Sequence, residues 1–219
     1  MTKTLQAVIF DMDGVIVDTF ELHYSANKEV AGQLSLPFSI QDNEKTRGLS
    51  RMDIIEMLVK ESGTNLTAVE KEKLSEDKNK HYQQQIASID ENAILPGMKD
   101  FISSLKERGI KIAVASSSTN GKTVLENVGL LDCFDYVVDP STLAKGKPDP
   151  EIFRKAADAL GVAHENIAAI EDGAAGIEAI NETEMFSIGV GQAVKNKTAD
   201  WHVSSTDEIT LHKLLERFR

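Results

Sequence analysis

The stretch Leu5-Gln6-Ala7-Val8-Ile9-Phe10-Asp11-Met12-Asp13-Gly14-Val15 decides the fold. Its apolar run is short and rich in β-branched residues, which reads as a strand buried on both faces. The run ends abruptly in two carboxylates two positions apart, followed by glycine. Residues i and i+2 of an extended chain point the same way, so Asp11 and Asp13 can approach one ligand together. Gly14 lets the chain turn away tightly. A strand followed by an acidic Asp-Gly turn would look the same in isolation, so the remainder of the chain has to separate the two readings.

Beyond Asp18 the strand signals vanish until about Ser88. Leu22, Ala26 and Val30 recur at helical spacing, and Ile54, Ile55, Leu58 and Val59 mark a second stripe after Ser50. Thr67-x-x-Glu70 is a capping box that opens a third helix running to about Ile86. Pro37 and Gly63 punctuate this helical insert.

From Leu95 onward, strands and helices alternate. A helix with Phe101, Ile102 and Leu105 stops at Gly109, and a strand spans Ile110 to Ala115. A helix from about Gly121 to Val128 and a short strand at Tyr136 to Val138 follow. Asp149-Pro150 caps the next helix, which Gly161 ends. Then come a strand at Ile167 to Ile170, a helix at Gly173 to Ile180, a strand at Phe186 to Val190 and a terminal helix from about Asp207. The expected class is α/β, a parallel sheet with helices on both faces.

In such sheets ligands bind outside the carboxyl ends of the strands, and the loops there are polar. Ser116-Ser117-Ser118-Thr119-Asn120-Gly121 puts hydroxyls just before a helix N-terminus, where a phosphate could be cradled or the helix merely capped. Pro148 biases Lys147 toward an extended backbone, and a point cation on a stiff loop can balance phosphate charge. Glu171-Asp172-Gly173 is a second carboxylate cluster, a helix cap or the oxygen set that a hard cation such as Mg2+ seeks. Chance placement of all four loops at one sheet edge is improbable.

Composition narrows the function classes. The chain has 219 residues, 27% charged and 41% hydrophobic, with a net charge of −11, which argues against a nucleic-acid partner. No apolar run approaches membrane-spanning length, so no membrane partner is expected. The N-terminus enters a strand without a signal-peptide pattern, and the single cysteine, Cys133, reads as a buried small hydrophobe in a reducing compartment. A cytoplasmic monomer acting on a small molecule is expected.

Asp11-Met12-Asp13-Gly14-Val15, Ser116, Lys147 and Glu171-Asp172 match, in order, the four motifs of the haloacid dehalogenase superfamily, and the resemblance spans nearly the whole chain. It implies a Rossmann-like parallel-sheet core formed by residues 1–15 and 92–219, with a small α-helical cap domain inserted at 16–91. Within the superfamily the chain most resembles the β-phosphoglucomutases. The features are Asp18-Thr19 followed by His23, the segment Arg47-Gly48-Leu49-Ser50-Arg51, Lys78-Asn79 with Tyr82 beyond, Ser116 to Asn120, and Lys147-Pro148-Asp149-Pro150. Two positions depart from it. Ala26-Asn27 stands where those enzymes usually carry Ala-Trp, and Ala174 where they tend to have a longer polar or acidic residue.

The resemblance implies roles. Asp11 would be the nucleophile that forms an aspartyl-phosphate, and Asp13 the general acid and base. Mg2+ would be held by the Asp11 carboxylate, the Asp13 backbone carbonyl and Asp172, with Glu171 as a ligand or just behind one. Ser116 and Lys147 would bind the transferring phosphoryl oxygens. The substrate-binding set would be Thr19, His23, Arg47, Gly48, Leu49, Ser50, Arg51, Lys78, Ser117, Ser118, Thr119 and Asn120. Of these, Arg51 would hold the distal phosphate, while Thr19 and His23 would act on Asp13 at the hinge. The implied activity is interconversion of β-D-glucose 1-phosphate and glucose 6-phosphate through the 1,6-bisphosphate. A Mg2+-dependent sugar-phosphate phosphatase differs only in that water accepts the phosphoryl group. A non-catalytic phosphosugar sensor would not need Asp11, Asp13, Lys147 and Asp172 together.

Overall fold

The computed structural model describes residues 3–195 and 198–218. Six parallel strands lie in the order β3 (Tyr136–Val137), β2 (Lys111–Val114), β1 (Ala7–Phe10), β4 (Ile167–Glu171), β5 (Phe186–Val190) and β6 (Trp201–Val203). All four residues of β1 are fully buried. Val8 and Phe10 enter one apolar cluster and Ala7 and Ile9 another, as the two-residue period of a strand requires. Burying a side chain such as Ile9 or Phe10 stabilises by about 1.5–3 kcal/mol, which a half-exposed strand would forgo.

The chain between β1 and β2 forms α1 (Phe20–Gln33), α2 (Ile40–Glu44), α3 (Arg51–Ser62), α4 (Ala68–Ile86) and α5 (Met98–Glu107). After β2 come α6 (Gly121–Asn127), α7 (Glu151–Leu160), α8 (Ala174–Asn181) and α9 (Leu211–Arg217). Phe101 and Leu105 of α5, Val124 of α6 and Leu214 of α9 cover the Val8 and Phe10 face. Phe153 of α7 and Ile177 of α8 cover the Ala7 and Ile9 face.

Helices α1, α3 and α4 share a third apolar cluster with Val30, Ile55, Leu58 and Leu74. Local chemistry sets their ends. The Ser50 hydroxyl accepts the Asp53 N–H at the start of α3, and Thr67 with Glu70 forms the capping box of α4. The two passages joining these helices to the sheet run side by side: Val17 pairs antiparallel with Ile94. The Leu95 N–H donates to Ile16 O at 2.9 Å and the Asp18 N–H to Ala93 O at 2.8 Å.

The structure departs from the sequence reading in short elements. Neither β6 nor α2 was anticipated, since three and five residues carry too little periodicity. The terminal helix begins at Leu211, with the Thr210 hydroxyl accepting the Lys213 N–H, and Thr206–Glu208 forms a separate 3-10 turn. Cys133 is half-buried at the edge of the core rather than enclosed.

Phe153 is fully enclosed, so Phe153→Ala should cost about 3–5 kcal/mol, a fall in melting temperature of about 6–20 °C. Val69→Ala, at a position 79% exposed, should stay within about 0.5 kcal/mol. Thermal unfolding followed by circular dichroism checks both.

Candidate active site

The register of β1 with β4 pairs Phe10 with Ile170, which brings Asp11 beside Glu171 one residue further on. The Asp11 N–H extends the ladder to Ile170 O at 2.9 Å. Between the two carboxylates lies the Lys147 ammonium, which donates to Asp11 Oδ1 at 2.6 Å and Glu171 Oε2 at 2.8 Å. Lys147 is 2% exposed and lies 5.2 Å from the centre of the Phe153 ring. Burial works against its charge, but Asp11 and Glu171 hold it above the ordinary lysine value. The other Glu171 oxygen accepts the Asp172 N–H at 3.1 Å and the Gly173 N–H at 2.9 Å. Gly176 packs so close to this carboxylate that any side chain there would collide with it.

Asp172 is buried as well. Its Oδ2 accepts from Arg47 Nη1, and its Oδ1 has no hydrogen-bond partner among the described residues. Burial, opposed by Arg47 and reinforced by Glu171, pushes the Asp172 carboxyl up to about 7. Burial, and next Glu171, raise Asp11 well above the usual carboxylate range despite Lys147. One oxygen from each of Asp11, Glu171 and Asp172 lies within 4.8 Å of the others. An all-oxygen donor set with crowded negative charge and an orphaned buried Oδ1 fits a hard divalent cation.

The Asp13 carboxylate points elsewhere. Oδ1 accepts from Thr19 Oγ1 at 2.5 Å and lies 3.2 Å from His23 Nε2 and 3.4 Å from Tyr82 Oη. Oδ2 lies 3.5 Å from Ser116 Oγ. Burial favours the neutral acid, yet His23 and Thr19 outweigh it and hold this carboxyl below the usual range. The His23 and Tyr82 rings stack at 4.3 Å between centroids, with 18° between planes. The Asp13 carboxylate thus takes no part in the acidic cluster of Asp11, Glu171 and Asp172.

Above these groups is a cavity of about 280 Å3. Asp11, Asp13, Thr19, His23, Arg47, Gly48, Leu49, Ser50, Arg51, Lys78, Ser117, Ser118, Thr119, Asn120 and Asp172 line it, whereas Ser116, Lys147 and Glu171 are not on its wall. Arg51 Nε donates to Ser75 Oγ at 3.0 Å, while Lys78, 4% exposed, makes no hydrogen bond or ion pair among the described residues. Burial and the nearby Arg51 lower Lys78 to about 8. The helices and the sheet meet around the cavity, with Ser117 Oγ donating to Gly48 O at 3.0 Å and Asn120 Nδ2 to Asn79 Oδ1 at 2.9 Å.

Arg47 lines the cavity, with its guanidinium bonded to Glu44 and Asp172. The sequence reading missed Asn43 and Thr46, which line the cavity from α2 and its exit, and gave Tyr82 no role. Ser39-x-x-Asp42 was the available signal for α2, and it is a complete capping box.

Residues 5–182 match the haloacid dehalogenase-like hydrolase family. The chain is 44% identical over 216 residues to the β-phosphoglucomutase of Bacillus subtilis, covering 98% of this chain and 96% of that one. It is 31% identical over 183 residues to a phosphorylated carbohydrates phosphatase of Thermotoga maritima, with 80% of each covered. The crystal structure of β-phosphoglucomutase from Clostridium difficile superposes with a TM-score of 0.94 at 36% identity, covering 98% of this chain and 97% of that one. A family match over most of the chain, a near-identical fold and carboxylates assembled at the ends of β1 and β4 lead to one conclusion: this chain is an enzyme of the haloacid dehalogenase-like hydrolase family.

Proposed function

We propose that this enzyme is a phosphosugar mutase interconverting β-D-glucose 1-phosphate and glucose 6-phosphate through an aspartyl-phosphate and β-glucose 1,6-bisphosphate. One observation carries the reading beyond likeness. A single cavity joins Asp11 and Asp13 to two buried or half-buried cations, Arg51 and Lys78, neither of which forms an ion pair with a carboxylate among the described residues. A monophosphate needs one anion site; a bisphosphate that turns around needs two.

In this reading Asp11 attacks the phosphorus of the bisphosphate in line, and the phosphoryl group moves to its carboxylate. Asp13 gives its proton to the departing sugar oxygen, so the leaving group is a neutral hydroxyl. In the other half-reaction Asp13 takes the proton from the opposite sugar hydroxyl, which attacks the aspartyl-phosphate and releases the Asp11 carboxylate. Thr19, His23 and Tyr82, which surround Asp13, orient it for both transfers. Lys147 and Ser116 stabilise charge on the transferring phosphoryl oxygens. Mg2+, held by Asp11, Asp172 and the Asp13 carbonyl, would supply charge neutralisation and a template for in-line transfer. Glu171, with both oxygens occupied, anchors Lys147 behind the ligands. Helices α1–α4 form a cap that opens for the sugar to turn and closes against water.

The deciding experiment incubates the enzyme with Mg2+, β-glucose 1-phosphate and a trace of bisphosphate, and compares glucose 6-phosphate with free phosphate. Glucose 6-phosphate should dominate, and Asp11→Asn should reduce turnover at least about a hundredfold with an unchanged circular dichroism spectrum. Free phosphate as the main product would instead establish a phosphatase.

Arg51→Ala should lower kcat/KM for the bisphosphate by about tenfold to a few hundredfold, the value of a charge-assisted phosphate contact. Hydrolysis of a monophosphate presented at Asp11 should change little. Equal losses in both reactions would remove Arg51 from the distal site.

Lys78 predicts a pH limb. Its value of about 8 lies below the ordinary 10.5, so raising the pH through 8 discharges it in the free enzyme. The log of kcat/KM should therefore fall above about pH 8, and Lys78→Arg should abolish that limb because arginine stays charged. Initial-rate pH profiles of both proteins check this.

A further inference from the structure

Arg47 follows α2, yet its guanidinium spans the gap between the helices and the sheet. Nε donates to Glu44 Oε2 at 2.7 Å and Nη2 to Glu44 Oε1 at 3.1 Å. Its guanidinium carbon lies 4.6 Å from the centre of the Phe20 ring. Nη1 alone reaches the sheet, where it donates to Asp172 Oδ2. Two glycines clear space for this contact. Gly14, at φ +80°, lies so close beneath it that a side chain would strike both the Asp172 carboxylate and Arg47. A side chain at Gly173 would come within 2.7 Å of the Arg47 carbonyl oxygen.

Three carboxylates, Asp11, Glu171 and Asp172, face two side-chain cations, Lys147 and Arg47. Lys147 is enclosed by the sheet and α7, whereas Arg47 arrives from the cap. Arginine cannot shed its proton to make room for another cation. A divalent ion using the same Asp172 carboxylate meets that positive charge at short range in a buried site, where screening is weak.

We propose that Arg47 is a tethered counter-cation that competes with the metal for Asp172, so that docking of the cap segment and binding of the divalent ion oppose each other. Linkage makes the effect reciprocal: the factor by which docked Arg47 weakens the metal is the factor by which the metal loosens Arg47. The inference depends on the carboxylate cluster alone and holds whether a sugar or water accepts the phosphoryl group.

Mn2+ is titrated into the substrate-free, full-length protein and the free ion is read by electron paramagnetic resonance. Arg47→Gln should bind Mn2+ at least about tenfold more tightly than wild type, within the usual range of coupling between sites, while Arg47→Lys stays close to wild type. Amide hydrogen exchange over residues 44–50 should speed up when Mg2+ is added to wild type, and should be fast and insensitive to Mg2+ in Arg47→Gln. Equal or weaker Mn2+ binding by Arg47→Gln overturns the inference and makes Arg47 an orienting partner of Asp172. The mutase assay above is read independently of this outcome.

Discussion

The Lys147 ammonium between Asp11 and Glu171 is the interaction on which the rest depends. Two carboxylates forced together and out of water are tolerable only with a buried cation and further hydrogen bonds. The cation comes from the loop before α7, and the hydrogen bonds from the backbone that starts α8. Removing Lys147 would leave like charges side by side at the centre of the sheet. Phe153 packs beside the ammonium and Gly176 against the Glu171 carboxylate, so the group is enclosed on both sides.

The sheet was legible in the sequence because its strands are continuous apolar runs, and a run buried on both faces leaves little ambiguity about what lies next to it. The residues at strand ends were legible for a related reason: Asp11, Ser116 and Glu171 interrupt apolar segments, and polarity at such a boundary has few structural uses. The strand β6 and the helix α2 were not, because neither carries the apolar run of the central strands. Trp201–Val203 and Ile40–Glu44 are defined by their neighbours rather than by a period of their own. The same holds for Arg47, whose partner Asp172 is 125 residues away and whose commitment depends on how the cap meets the sheet. Side-chain types announce what chemistry is available, while pairings across the cap boundary are a property of the folded chain.

The groups around Asp13 divide the labour differently from those around Asp11. Asp11 is surrounded by charge, so its neighbours determine how strongly it attracts a cation. Asp13 is held by a hydroxyl, an imidazole and a phenol, which fix its direction. His23 and Tyr82 stack with each other, so both reach Asp13 as one rigid plate from the cap. A carboxylate that must donate in one half-reaction and accept in the other needs an orientation that survives the change of charge, and three separate contacts on one oxygen supply it.

The paired passages at residues 16–18 and 93–95 bear on how the cap can move. Two independent tethers would let it twist, slide and tilt. Cross-linked by hydrogen bonds into a short ribbon, they bend across the ribbon's flat face far more easily than they rotate about its length. Any displacement of α1–α4 against the sheet would therefore follow that one bending direction. His23, in the first turn of α1, lies five residues past this ribbon, and Arg51 opens α3 further along the chain. The proposed distal anchor and the groups around Asp13 thus hang from one two-stranded connection, and a single bend would carry both.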